Sequence, residues 1–196
     1  MYNFGMKRIF IVLLILLSAN YVFAMTNEEL SEKAKLEYVQ NNVDDAFQTL
    51  LSIPEDDRTS QNWLLLGNVL QDKGRLDDAI FMYHQAEQTD LKDYRPPYNL
   101  GRIYLEQEKP NSAIKEFEKS ISLKKDNPYT HYNLACAYIK LKEYKKARKE
   151  LLNAIALKNT VPEFHYNLAY VYKQLNNEKN AKVYLEFYNK LEANSK

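Results

Sequence analysis

The sequence is poor in the residues that build disulfide-stapled or loop-rich domains. Its 196 residues include a single cysteine, Cys136, and only four glycines. One cysteine excludes a framework of intrachain disulfides, so the fold must be held together by packing alone. The scarcity of glycine, beside sixteen tyrosines, favours a helical, aromatic-rich chain over a loop-rich one.

An excess of one charge sign is also missing. The chain has 27 basic and 26 acidic residues. Without Lys7 and Arg8, which belong to the N-terminal segment 1–24, 25 basic residues stand against 26 acidic ones. Such a balance creates no broad electrostatic field for nucleic acid or for anionic lipid. We therefore expect no nucleic-acid partner, and a membrane contact only if segment 1–24 is retained.

The longest apolar run of that segment is short for a membrane span. Residues 9–17 are unbroken apolar residues, preceded by the basic pair 7–8 and followed by Val-Phe-Ala at 22–24. This order is typical of a secretory signal peptide, whereas a spanning helix needs about 20 apolar residues. We predict that residues 1–24 are a signal peptide cleaved after Ala24, and that the mature chain is exported to the periplasm or cell envelope. The alternative is an uncleaved anchor, in which residues 9–24 hold the chain at the inner membrane.

The rest of the chain contains an octapeptide that returns at a fixed distance. HYNLACAY at residues 131–138 is followed 34 residues later by HYNLAYVY at 165–172. Four 34-residue frames align without a gap, and they share a leucine at position 7, a small residue at position 8, alanine at position 20 and a large residue at position 24. The frames start at Ser60, Tyr94, Pro128 and Pro162, and the four positions hold Leu66, Leu100, Leu134 and Leu168; Gly67, Gly101, Ala135 and Ala169; Ala79, Ala113, Ala147 and Ala181; and Tyr83, Phe117, Leu151 and Leu185.

This pattern predicts a hairpin of two helices in each frame. Positions 4, 7, 8 and 11 share one face of a first helix, and positions 20, 24 and 27 share one face of a second. Small residues at positions 8 and 20 let the helices approach closely, and the large residues fill the space beside them. Turn-forming stretches separate the two helices, such as DKGR at 72–75 and EKPN at 108–111.

The repeat resembles the tetratricopeptide repeat, a helix–turn–helix unit of 34 residues. The resemblance covers nearly all of the chain after residue 24, although the proline expected near position 32 is missing. It implies an all-α fold, a right-handed superhelical solenoid of antiparallel helix pairs with about five repeats, the first of them degenerate. In the first unit we predict a first helix of about Asn27–Gln40 and a second helix that Pro54 cuts short. The predicted units are an N-terminal capping unit at 25–59, repeats at 60–93, 94–127 and 128–161, and a last repeat with the C-terminal helix at 162–196.

The resemblance also implies a concave groove that is lined by the first helix of each repeat. Positions 5, 6 and 9 would face this groove, and in three successive repeats positions 5 and 6 are tyrosine and asparagine. The predicted partner-binding residues are Tyr98, Asn99, Arg102, Tyr132, Asn133, Tyr166, Asn167 and Tyr170. Asparagine amides can pair with the backbone of an extended peptide, and tyrosines add amphipathic contact area. We predict a groove for an extended segment of another protein; the alternative is that these residues are merely tolerated or half-packed. The cations of a chaperone-type carboxylate clamp are mostly absent at the matching positions, which disfavours that ligand.

The last helix differs from its predecessors. Positions 22, 23 and 26 of the final repeat are Val183, Tyr184 and Phe187, whereas the preceding repeat has lysine, glutamate and asparagine there. An uncovered apolar edge of this kind is typical of an interface. We predict a second interface at these three residues, for a homo-oligomer or another partner; the alternative is an aromatic cap folded back on the chain.

Candidate chemistry is sparse in this sequence. His131 and His165 share position 4, and Cys136 lies one turn after the first of them, but zinc requires three or four ligands. We expect both histidines to pack and predict no metal and no cofactor. No catalytic triad, paired-acid site or glycine-rich phosphate loop occurs at a plausible spacing. We therefore predict a non-enzymatic protein-interaction scaffold; the alternatives are a membrane-anchored adaptor of a secretion, pilus or envelope-assembly complex and, less favoured, a regulatory subunit of an envelope enzyme.

Overall fold

The computed structural model describes residues 25–194, which form ten α-helices and no β-strand. The predicted all-α class is therefore confirmed. The proposed signal peptide, residues 1–24, lies outside the described residues. Within the described range, no helix is both long and apolar enough to cross a membrane. The chain divides between Asp57 and Arg58 into two compact units.

The first unit is a short helical hairpin. It contains α1 (Asn27–Val39), α2 (Val43–Leu51) and a 3₁₀ turn (Glu55–Asp57). Helix α1 begins with a capping box, in which the Thr26 hydroxyl accepts a hydrogen bond from the Glu29 amide at 3.2 Å and the Glu29 carboxylate accepts one from the Thr26 amide at 2.8 Å. Helix α2 has only nine residues because Pro54 follows shortly after its end and disfavours helical backbone before it.

The second unit contains four helical hairpins in succession. Each hairpin pairs a helix of 12 or 13 residues with a second helix of 14 or 17 residues. The helices are α3 (Ser60–Asp72) and α4 (Leu76–Thr89), α5 (Arg95–Glu106) and α6 (Pro110–Leu123), α7 (Pro128–Lys140) and α8 (Tyr144–Leu157), and α9 (Pro162–Gln174) and α10 (Glu178–Asn194). Proline stands in the first turn of α5, α6, α7 and α9, where its missing N–H breaks no helical hydrogen bond.

The turn inside each hairpin has the same backbone geometry. One residue per turn adopts positive φ, at Gly74 (72°), Glu108 (56°), Lys142 (59°) and Asn176 (58°). The next residue then donates its amide hydrogen to a carbonyl five residues back, as Glu143 does to Tyr138 at 2.9 Å. This is the Schellman motif that ends many helices. The 34-residue period of the sequence therefore includes the position of the left-handed residue, although only one of the four is glycine.

The two helices of a hairpin meet where positions 8 and 24 face each other. A Cβ atom on Gly67 would lie 2.4 Å from the Tyr83 ring, and one on Gly101 would lie 2.6 Å from the Phe117 ring. Both rings are fully buried. In α7 and α9 the small residue is alanine, and the residue at position 24 is the smaller leucine. The size of one side chain thus matches the space that the other leaves, which keeps the core closely packed.

Candidate interaction groove

The predicted groove tyrosines and asparagines join successive repeats to each other. The Asn133 side-chain amide donates to the Tyr98 hydroxyl at 3.3 Å, and the Asn167 amide donates to the Tyr132 hydroxyl at 3.1 Å. Each bond links position 6 of one repeat to position 5 of the repeat before it. The sequence analysis placed these residues in two separate ladders, but the structure connects the ladders by hydrogen bonds, so one amide hydrogen of each asparagine is already engaged.

Asn99 follows the same rule with a different acceptor. Position 5 of the preceding repeat is Leu64, which has no hydroxyl, and the Asn99 amide donates instead to the Asn68 side-chain oxygen at 3.0 Å. The Tyr83 hydroxyl donates to that oxygen as well, at 2.8 Å. Asn99 is buried, so the contribution of this residue to the groove surface is small.

The accessible surface of the groove is mainly aromatic. Tyr166 and Tyr170 on α9 are 52% and 41% exposed, and Tyr129 on α7 is 42% exposed. Tyr98 and Tyr132 are half-buried. A tyrosine ring with one exposed face can cover a partner's apolar group and still hydrogen-bond through its hydroxyl, at a small cost in side-chain entropy.

Tyr132 illustrates how the half-buried rings are held. The buried Phe164 ring of the next repeat stacks on Tyr132, with ring centroids 4.8 Å apart and planes at 27°. The same phenylalanine meets Tyr129 edge to face at 5.9 Å. Burial raises the pKa of Tyr98 and of Tyr132, so both hydroxyls stay protonated and able to donate.

Two arginines of α5 differ in their availability to a partner. Arg95 is paired with Asp93 through contacts of 2.7–3.0 Å, and this hydrogen-bonded carboxylate raises the pKa of Arg95. Arg102 is exposed, lies over the Tyr98 ring at 5.8 Å, and forms no ion pair with any residue of 25–194. An unpaired guanidinium on an aromatic ring is oriented to receive a carboxylate.

Concave surfaces occur at two places along these first helices. One, of about 330 Å³, lies where α3, α5 and α7 approach each other, with Leu64, Asn68, Tyr98 and Tyr129 in its wall. The other, of about 520 Å³, lies between α9 and α10 at the end of the described chain. Its wall contains Tyr166, Ala169, Tyr170, Lys173, Glu178, Ala181, Lys182 and Leu185.

Cys136 and the two position-4 histidines are structural in this arrangement. Burial raises the pKa of the Cys136 thiol, which accepts a long hydrogen bond from Asn167 at 3.6 Å. A thiol with a raised pKa is a poor nucleophile and a poor metal ligand. Within residues 25–194, no group of three or more His, Cys, Asp or Glu side chains is placed to hold a metal ion.

His131 has a buried acidic partner that the sequence analysis missed. Its Nδ1 lies 2.7 Å from the Glu150 carboxylate and its Nε2 lies 3.0 Å from the Lys125 carbonyl oxygen. The hydrogen bond to Glu150 raises the pKa of His131, although burial opposes this. Burial alone would raise the pKa of Glu150, but hydrogen bonds from His131 and Asn153 lower it. The available signal was that position 4 histidine and position 23 glutamate occur together in one repeat.

His165 sits in an aromatic environment instead. Its Nε2 lies 2.8 Å from the Asn159 carbonyl oxygen, and its ring contacts the rings of Tyr184 and Phe187, with centroids at 6.0 and 5.6 Å. Tyr184 also stacks on Tyr172 at 5.5 Å. Of the three residues predicted as a second interface, Tyr184 is therefore half-buried against α9, whereas Val183 and Phe187 remain 39% and 49% exposed.

Helical hairpins repeated every 34 residues, with a small residue facing a large one inside each hairpin, define a helical repeat protein of the interaction-scaffold class. Comparison with known families agrees. The family model for anaphase-promoting complex, cyclosome, subunit 3 matches residues 72–154. Models for the TPR repeat and the tetratricopeptide repeat match residues 135–176 and 162–193. The chain is a tetratricopeptide repeat protein.

Solved structures of MamA have a similar fold. A double mutant of MamA from strain RS-1 aligns with a TM-score of 0.78 at 15% identity, covering 88% of this chain and 98% of that one. MamA residues 41 to the end from Desulfovibrio magneticus RS-1 aligns with a TM-score of 0.77 at 15% identity, covering 87% and 98%. Another MamA crystal structure aligns at 0.75 with 19% identity, covering 83% and 95%. No curated protein matches the chain. At these identities the likeness establishes the fold alone, that of a tetratricopeptide solenoid.

Proposed function

We propose that this protein is a non-enzymatic scaffold of the cell envelope that binds an extended segment of a partner protein in the groove formed by α3, α5, α7 and α9. The observation that carries this proposal is the row of accessible side chains on those helices: Arg102, Tyr129, Tyr166 and Tyr170. Tetratricopeptide proteins bind other proteins, and the fold of this chain is of that kind.

The chemistry of the groove favours a particular partner segment. The hydrogen bonds between asparagines and tyrosines hold the repeats together, so recognition falls to the exposed rings and to Arg102. A segment with apolar or aromatic side chains and one acidic residue would complement this surface, because the Arg102 guanidinium would pair with the carboxylate. Extended peptides suit a groove built from parallel, regularly spaced helices, since each repeat can contact successive parts of the segment.

Site-specific photo-crosslinking tests the proposal. A photoreactive phenylalanine analogue is placed at Arg102, Tyr129 or Tyr170 in the native cell, and the crosslinked peptides are identified by mass spectrometry. The proposal expects adducts in sequential order along one segment of one partner. A matched control carries the analogue at Phe81 on α4, which is 53% exposed and outside the groove. Adducts that are as frequent from Phe81, or scattered over many unrelated proteins, would refute groove binding.

The location in the envelope rests on the basic, apolar and small-residue order of residues 1–24, and it has its own measurement. Cleavage after Ala24 gives a mature chain that starts at Met25, which intact-mass analysis of the protein isolated from its own cells detects. Retention of residues 1–24 would instead favour the second candidate, a membrane-anchored adaptor of an envelope complex.

A further inference from the structure

The outward face of α10 carries an apolar stripe. Val183 and Phe187 are 39% and 49% exposed, and Lys190 is exposed one turn later, so the three follow each other at helical spacing on one face. The opposite face of α10 packs on α9 through Ala181 and Tyr184. The stripe is therefore separate from the core of the last repeat.

The surface beside this stripe resembles the surfaces that pack between repeats. Tyr132 on α7 is covered by the next repeat, in which Phe164 stacks on its ring and Asn167 donates to its hydroxyl. Tyr166 is the equivalent residue of α9 and is 52% exposed. The concavity of about 520 Å³ next to it lies between α9 and α10. This face thus continues the series of repeat–repeat interfaces, and a helix antiparallel to α10 is the element that such a face accommodates.

Helix α1 has a stripe that complements the one on α10. Glu32 is exposed, and Leu36 and Val39 are 58% and 81% exposed at positions four and seven residues later. In an antiparallel pairing, Val39 and Leu36 would meet Val183 and Phe187, and Glu32 would lie near Lys190.

The charge distribution along the chain favours the same pairing. Residues 25–57 contain nine acidic residues against two lysines, a net charge of −7. Residues 58–196 contain 23 basic and 17 acidic residues, a net charge of +6. Two copies that meet with opposite ends attract each other, whereas two α1 units that meet face to face repel. At the α9–α10 concavity, Lys173 and Lys182 outnumber Glu178.

We propose that the α9–α10 face of one copy binds helix α1 of a second copy, head to tail. The two surfaces in this contact are different, so each copy keeps one unused surface of each type. The contact is heterologous and can extend beyond a dimer. It uses the outer surfaces of the first and last hairpins and leaves Arg102 and Tyr129 free for a groove partner.

Cysteine crosslinking of the full chain in cells tests this contact. Cys136 is replaced by alanine, one chain carries Val39→Cys, and a co-expressed chain carries Val183→Cys. Any link between positions 39 and 183 is then intermolecular. A short bismaleimide should give a dimer band that contains a peptide joining these two positions. Phe81→Cys is the matched control, because Phe81 is 53% exposed but lies on α4; paired with Val39→Cys it should give no product above background.

Charge reversal at the far end of the contact provides a second readout. Lys190→Glu in the chain with the cysteine at position 183 should lower the crosslinked yield about fivefold, and Glu32→Lys in the other chain should restore it. Three results would overturn the proposal: no link between positions 39 and 183, equal links to position 81, or a dimer from the Val183→Cys chain alone. The last result would show a symmetric contact between two α10 helices.

Discussion

Gly101 and Phe117 fit each other so closely that a methyl group between them has no room. A Cβ atom on Gly101 would lie 2.6 Å from Cε1 of Phe117, and the ring is fully buried. Gly67 and Tyr83 repeat the relationship one hairpin earlier, with 2.4 Å. Glycine is normally unfavourable within a helix, so its presence in α3 and α5 is explained by the aromatic ring that faces it.

Gly101→Ala should therefore destabilise the protein, although alanine is the better helix former. We expect the free energy of unfolding to fall by about 1–3 kcal/mol, because the buried ring must move or leave its preferred rotamer. Urea denaturation followed by circular dichroism measures this change.

The double variant Gly101→Ala with Phe117→Leu is the matched control, since Ala135 and Leu151 occupy the same positions in the α7–α8 hairpin. It should be more stable than the sum of the two single changes predicts. Additive effects within about 0.5 kcal/mol would show that the two residues are not coupled.

The hydrogen bond from Asn167 to Tyr132 should stabilise the packing of the last repeat on its neighbour. We expect Asn167→Ala and Tyr132→Phe each to lower the free energy of unfolding by about 1 kcal/mol, and the double variant to lose less than twice that. Asn133→Ala should behave similarly, because it removes the equivalent bond to Tyr98. If the single variants are as stable as the unmodified protein, the hydrogen bonds do not contribute to repeat packing.

Lys142 is a position where glycine should improve stability. Its φ is 59° in the turn between α7 and α8, where a Cβ atom is unfavourable. Lys142→Gly should raise the free energy of unfolding by roughly 0.5–1 kcal/mol, since the removed strain exceeds the extra freedom of glycine in the unfolded chain. Lys145→Gly, within helix α8, is the control and should lower it by about 1 kcal/mol. A loss of stability in both variants would contradict the turn geometry.

The buried pair of His131 and Glu150 should make stability depend on pH. Because the folded pKa of His131 is raised, its contribution is complete below the unfolded histidine pKa of about 6.5 and is lost as pH rises through the folded value. The lowered pKa of Glu150 means that its contribution is present above about 4.3 and is lost as pH falls through the folded value.

We therefore expect His131→Gln to remove a loss of stability that the unmodified protein shows between about pH 6 and pH 8. Chemical denaturation at the two pH values measures the difference. His84→Gln is the control, because the His84 side chain is 41% exposed and 3.7 Å from its acidic neighbour Glu87. Equal pH dependence in the protein with and without His131 would exclude a stabilising ion pair.

The period of the sequence predicted the helices of the second unit well, for physical reasons. Leucine, small residues and alanine recur at positions that must face the partner helix, and packing fixes these positions in every hairpin. Helices α3, α7 and α9 begin at the frame positions Ser60, Pro128 and Pro162, and α5 begins one residue into its frame, at Arg95. The first helix of the N-terminal unit was predicted at about Asn27–Gln40 and spans Asn27–Val39.

The side-chain contacts of the groove could be predicted less well. The sequence indicated that tyrosine and asparagine recur side by side, but not that each asparagine reaches the tyrosine of the preceding repeat. That depends on the offset between adjacent helices, which residue spacing does not encode. The pairing of His131 with Glu150 was missed for a similar reason, since 19 residues and a turn separate the two and only one repeat contains both.

The central claim is that the groove recognises an extended segment of a partner, and one affinity measurement tests it most directly. The segment mapped by crosslinking is synthesised as a peptide, and its dissociation constant is measured by calorimetry for the unmodified protein and for Arg102→Ala with Tyr170→Ala. We predict binding at least about tenfold weaker in this variant with an unchanged Tm, and unchanged binding in Phe81→Ala. Equal affinity of the groove variant and the unmodified protein would contradict the account.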